Sequence, residues 1–109
     1  MKIDFTQAER CDLPKFKDGE GHFIMRHYTD SHVKIMHGTL EPGCSIGLHR
    51  HEGNAEVMYI LSGIATYIWE GKEETVLPGQ VHYCADGQCH TLMNKGTENL
   101  TFFAVVPNK

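Results

Sequence analysis

The sequence predicts an all-β domain, either a sandwich or a closed barrel, and three observations point there. Short segments of alternating apolar and polar residues follow one another from residue 21 onward. Turn residues punctuate them at Glu41-Pro42-Gly43, Ser62-Gly63, Glu70-Gly71, Leu77-Pro78-Gly79, Ala85-Asp86-Gly87 and Lys95-Gly96-Thr97. No stretch sustains the 3.6-residue period of an amphipathic helix.

Taken in order, residues 1–20 lack this alternation and are expected to form an irregular segment ahead of a single β-barrel domain over residues 21–109. Within that segment Ile3 and Phe5 suit an edge strand. Thr6, with Glu9 three residues on, suits the cap of a short helix over residues 6–11. Residues 15–21, charged and flanked by glycine, read as a surface loop. Strands are predicted over residues 23–28, 33–40, 45–49, 57–61, 64–70, 73–77, 81–84, 89–94 and 100–106. The strand over 64–70 is apolar on both faces, with Ile64, Thr66 and Ile68 on one and Ala65, Tyr67 and Trp69 on the other. A chain of 109 residues has a single interior, so the second face calls for the amino-terminal segment or a second copy as cover. The expectation is a homodimer through the sheet carrying Tyr67 and Trp69.

Charge and composition exclude several classes. A net charge of -4 without any basic run gives no electrostatic footprint for nucleic acid. The longest apolar runs, residues 57–61 and 102–106, fall far short of the ~20 residues that a membrane-spanning helix needs. The first seven residues contain nothing like the apolar stretch of a signal peptide. Cys11, Cys44, Cys84 and Cys89 form no C-x-x-C pair, and the expectation is reduced thiols in a cytoplasmic protein. A Cys84–Cys89 bridge across a turn is the alternative.

Histidine is the unusual count, eight in the chain. His22, His27, His32 and His37 recur every five residues, an interval that alternates strand faces and advances about 140° around a helix. They share no face and read as scattered. The informative histidines lie in the pattern Gly43-x5-His49-x-His51-x4-Glu56-x6-Gly63. On a strand His49 and His51 point the same way, and the short connection over residues 52–55 can bring the Glu56 carboxylate alongside. A second pattern, Gly79-x5-Ala85-Asp86-Gly87-x2-His90-x3-Asn94, offers His90 as a fourth candidate ligand. Imidazoles and a carboxylate together suit a divalent transition metal, and four ligands leave positions open for a substrate.

Alternation extends the reading to a pocket. If Glu56 faces inward, so do Met58 and Ile60, while Val57 and Tyr59 face out; His90 brings Leu92 and Asn94 with it. Asn94 can equally serve a turn. Such a wall is mostly apolar with the metal as its polar focus, ready for a small-molecule ligand or substrate. No arginine or lysine falls on these inward positions, which argues against sugar-phosphate substrates. His82, on the strand leading to the second pattern, is the candidate general base, weighed against an outward or merely hydrogen-bonded histidine.

The two patterns resemble the two signature motifs of the cupin superfamily, whose members are small jelly-roll, or double-stranded β-helix, barrels. The first motif is matched at every fixed position from Gly43 to Gly63. The second is matched from Gly79 to Asn94 except that Ala85 stands where proline is usual, a change that loosens a turn and leaves Gly87, His90 and Asn94 in place. Carried over, the resemblance implies a metal site of His49, His51, Glu56 and His90 that holds one ion of iron, manganese, nickel, cobalt or zinc. It implies a metal-dependent enzyme acting on a small organic molecule, of oxygenase, isomerase or lyase type. The alternative is a non-catalytic binding module, a sensor or carrier of a metal and a small molecule. The fold does not choose between them. An acid or base beside the metal would, and His82, then His37 or Tyr83, are the candidates.

Overall fold

A computed structural model describes residues 1–109 as ten strands in two antiparallel sheets. The strands are β1 (Glu9–Pro14), β2 (His22–Thr29), β3 (Val33–Leu40), β4 (Ser45–Arg50), β5 (Glu56–Ser62), β6 (Ala65–Trp69), β7 (Lys72–Val76), β8 (Val81–Cys84), β9 (Cys89–Met93) and β10 (Leu100–Pro107). One sheet runs β1-β2-β3-β10-β5-β8 and the other β4-β9-β6-β7. This is the jelly-roll barrel expected from the alternating pattern. No helix is long and apolar enough to cross a membrane.

Alternation sets the interior. Along β10, Leu100, Phe102, Ala104 and Val106 are buried while Thr101, Phe103 and Val105 are half-buried. Along β5, Glu56, Met58 and Ile60 are buried and Val57, Tyr59 and Leu61 exposed. The inner faces meet in one core that includes Phe23, Leu40, Ile60, Tyr67, Leu92 and Phe102. Phe23 stacks on Phe102 with ring centroids 5.8 Å apart. Truncating a ring buried like Phe102 costs about 3–5 kcal/mol.

The amino-terminal segment differs from its expected form. Residues 6–11 are not helical: Glu9–Pro14 is strand β1, paired with β2 from Glu9 opposite His27 to Pro14 opposite His22. Cys11 and Leu13 turn inward against the core, and that packing overrides the capping signal at Thr6. Ile3 and Phe5 form no strand; Phe5 lies on the outer face of the larger sheet, 6.0 Å from the His37 ring and 6.2 Å from that of Phe103.

In the sheet carrying Tyr67 and Trp69 both rings pack within the chain itself. Tyr67 is fully buried in the chain's own core, opposite Leu92. Trp69 lies opposite His90, and its indole N–H donates to the Gln88 side-chain oxygen at 3.1 Å. Tyr67 is thus sealed inside, whereas Trp69 stays half-buried. Exposed apolar side chains include Ile64, Leu48 and Leu77, and others cluster on the outer face of β5 and the edge strand β8. Val57 stands opposite Tyr83 there, and Tyr59 opposite Val81.

Two irregularities shape the end of the barrel where the site lies. In β4, Ile46 opposes Leu92 and His49 opposes His90, so three steps on one strand match two on the other. That extra residue is a β-bulge, and it turns both Ile46 and His49 to the inside despite their odd spacing. Beside it, residues 15–21 form a tight strap around a single 3-10 turn, Phe16–Asp18. Lys15, Lys17 and Asp18 hold positive φ of 49°, 55° and 64°, unusual for non-glycine residues. The strap is held by Ser45, whose N–H donates to the Glu20 carbonyl and whose hydroxyl accepts from the Glu20 N–H, both at 2.8 Å.

Candidate metal centre

Three strands bring four donor groups to one point. β4 and the residue after it carry His49 and His51, β5 begins with Glu56, and β9 carries His90. One ligand atom from each lies within 4.8 Å of all the others. The His90 Nε2 is 3.0 Å from the His51 Nε2, 3.1 Å from the His49 Nε2 and 3.2 Å from a Glu56 oxygen, and that oxygen is 3.2 Å from the His51 Nε2. For metal–nitrogen bonds of roughly 2.1 Å, ligand atoms at right angles lie roughly 3.0 Å apart. The short edges of the cluster have that length.

The outer nitrogens test the fit independently. The His49 Nδ1 donates to the Gly47 carbonyl at 2.8 Å, and the His51 Nδ1 is 2.7 Å from the Asn54 side-chain oxygen. Each acceptor fixes a proton on Nδ1 and leaves Nε2 as a bare lone pair aimed at the cluster centre. Lone pairs and a carboxylate facing one another repel unless a cation lies between them. The donor set is therefore compatible with a metal ion.

The electrostatics agree. Burial alone would raise the Glu56 carboxyl, but positive charge at the centre, here a second proton on the Nε2 of His51 or His90 hydrogen-bonded to the carboxylate, outweighs it and holds the group at about 2. The His51 ring is raised, chiefly by Glu56, and His49 is lowered by burial. Burial likewise lowers His82, with Glu74 opposing.

A cavity of about 300 Å³ opens in front of the cluster. Met58 and Leu92 line it together with all four cluster residues. Ile60 is fully buried in the core and is not on the cavity wall. Asn94 is also buried away from it: its amide donates to the Leu40 and Glu98 carbonyls, and its oxygen accepts from the Gly96 N–H. Asn94 thus secures a turn. His82 is buried behind His90 and does not line the cavity; His37 and Tyr83 lie on the outer surface.

The walls hold cations outside the positions read by alternation, although Lys34 shares the inward phase of Met36 on β3. Lys17, Lys34 and Arg50 all border the cavity, overturning the expectation of a wall without cations. Lys17 comes from the strap, whose shape follows no period, and its charge is close enough to oppose protonation of His51. Arg50 sits between two ligands and donates to the Gly87 carbonyl. Neither position is inward by strand phase, so counting alternate residues passed over both.

The comparisons fit this geometry. The cupin domain model matches residues 36–106. An oxalate-binding protein of Thermotoga maritima is 32% identical over 102 residues, covering 86% of this chain and 83% of that protein. The crystal structure of a predicted oxalate decarboxylase from Thermotoga maritima superposes with a TM-score of 0.93 at 28% identity over the whole of both chains. A cupin domain from Schizosaccharomyces pombe, 10% identical, superposes at a TM-score of 0.80 over all of this chain and 70% of its own, and shows the fold alone. With both motifs in place, the barrel closed around their four donor residues and the domain model matched across most of its strands, this chain belongs to the cupin family.

Proposed function

We propose that the protein holds one divalent transition metal ion at His49, His51, Glu56 and His90 and binds a small carboxylate anion of the oxalate class on it. The observation that carries this reading is a cavity that combines the ligand cluster with three cations, Lys17, Lys34 and Arg50. The ion would offer two adjacent open positions to a chelating dicarboxylate, and the cations would neutralise the charge that faces solvent. The relative named as an oxalate-binding protein supports the same ligand class. The donor set suits iron, manganese, cobalt, nickel or zinc.

Binding without turnover is the favoured role. None of the acid–base candidates His82, His37 and Tyr83 reaches the cavity. The second reading is a metal-dependent enzyme of lyase type, favoured by the structural neighbour named a predicted oxalate decarboxylase. Glu52, the carboxylate on the cavity wall that is not a ligand, is then the group to test for proton transfer. Four unbridged cysteines support a reducing, cytoplasmic setting. The apolar outer face of β5 and β8 supports a homodimer formed there.

Metal analysis of protein purified without a metal-affinity tag should find about one divalent ion per chain. Calorimetry should then show oxalate binding to the loaded protein and not to the stripped one. Equal binding to both, or none to either, overturns the proposal, and formate with carbon dioxide from oxalate would establish the enzyme reading.

A further inference from the structure

The three histidines hold their outer nitrogens in different ways. His49 and His51 meet oxygen acceptors, but the His90 Nδ1 meets another imidazole, the Nε2 of His82, at 3.0 Å. Two ring nitrogens cannot decide between themselves which carries the proton. Glu74 decides. Its carboxylate lies 2.6 Å from the His82 Nδ1 and can only accept. His82 therefore carries its proton on Nδ1 and presents a bare Nε2 to His90. His90 then carries its own proton on Nδ1, and its Nε2 lone pair points into the cluster.

The surroundings hold this chain of contacts in line. Tyr67 stacks on His82 with ring centroids 3.6 Å apart and planes 15° from parallel, and the His82 and His90 rings lie within 16° of parallel. Glu74 is on β7 and His82 on β8, edge strands of different sheets, so their contact also bridges the gap between the sheets. No backbone pairing joins those two strands.

We propose that Glu74, acting through His82, is the positioning residue that fixes the tautomer of His90 and with it the hold of the centre on its metal. This rests on the metal reading of the cluster. Outer partners of this kind set ligand orientation and basicity, and their loss lowers metal affinity about 10–100-fold.

The test uses Zn²⁺ and Mn²⁺ alone, with affinity from chelator competition and histidine tautomers from ¹⁵N NMR of the zinc-loaded and ion-free protein. E74A should weaken both ions about 10–100-fold and leave His90 of the ion-free protein in mixed tautomers. E74Q keeps an oxygen acceptor for His82, so it should retain the tautomer and recover part of the affinity; it also serves if E74A does not fold. E73A removes the neighbouring carboxylate, paired with Lys95 at 3.3 Å, and should change neither readout. Wild-type protein that binds neither ion overturns the metal reading and this proposal together. Wild-type protein that binds, with E74A binding as tightly and His90 unchanged, overturns this proposal alone.

Discussion

Gly47 lies flat against the backbone of Lys17, so close that a Cβ on Gly47 would overlap the Lys17 carbonyl oxygen. The same glycine sits in the β4 bulge and offers its own carbonyl to His49. Gly19 packs reciprocally, where a Cβ would overlap the Ser45 carbonyl oxygen. Two missing side chains thus let a strained strap reach the mouth of the candidate metal centre.

Gly47→Ala should push that strap away. The backbone on both sides cannot yield cheaply, and overpacking of this kind costs about 1–3 kcal/mol. Thermal melts should show a fall of about 5–15 °C, and limited proteolysis should cut residues 15–21 sooner than in wild type. A melt unchanged within about 1 °C would show that the strap is not held by this contact.

Lys17→Ala should separate ligand recognition from metal binding. A charge-assisted contact to a carboxylate is worth about 1.5–3 kcal/mol, and an exposed lysine falls at the low end, so oxalate affinity should drop about tenfold. Metal affinity should stay within about twofold, because Lys17 ligates nothing. Calorimetry on the loaded variant measures the first and chelator competition the second.

Stripping the metal should lower stability. An ion held by the cluster would tie together β4, β5 and β9, and binding at a hundredfold excess over Kd contributes about 2.7 kcal/mol. The melting temperature should fall by on the order of 10 °C in chelator. His51→Ala should abolish the difference. His27→Ala, far from the cluster and bonded to Cys11 and Thr29, should keep it. Coincident melts of loaded and stripped wild type would sink the prediction.

Light scattering should give about twice the 12.3 kDa chain mass. Tyr83→Lys, on the exposed face of β8, should shift the protein toward monomer without lowering metal affinity. A monomeric wild type at high concentration refutes the dimer.

Cys84 should resist alkylation at pH 8.5. Burial pushes its thiol up to about 12, above the working pH, so the proton stays on and the nucleophile is absent. Cys11, Cys44 and Cys89 are half-buried and should label first with iodoacetamide, read by peptide mass.

Much of this architecture was legible in the sequence because strand phase is a local property. From residue 21 on, each expected strand appears, with β3 and β8 bounded as expected, and the two motifs bring their donors to one inner face. What escaped depended on partners distant in sequence. β1 became a strand because β2 was there to pair with it, not because residues 9–14 announce one. Lys17 reached the cavity through a strap without any period, and Glu74 reached His82 across two sheet edges that no pattern along the chain connects.

The bulge in β4 makes one strand obey two independent phases. Ile46 answers to the volume of the core and His49 with His51 to the donor cluster, with an unpaired step between them whose Gly47 carbonyl accepts from the His49 ring. Loss of Leu48 would leave Ile46 and His49 two steps apart and still both inward, whereas loss of Arg50 would turn His51 to the opposite face. The inward phase of this strand tolerates the loss of a residue at Leu48 but not at Arg50, two positions on.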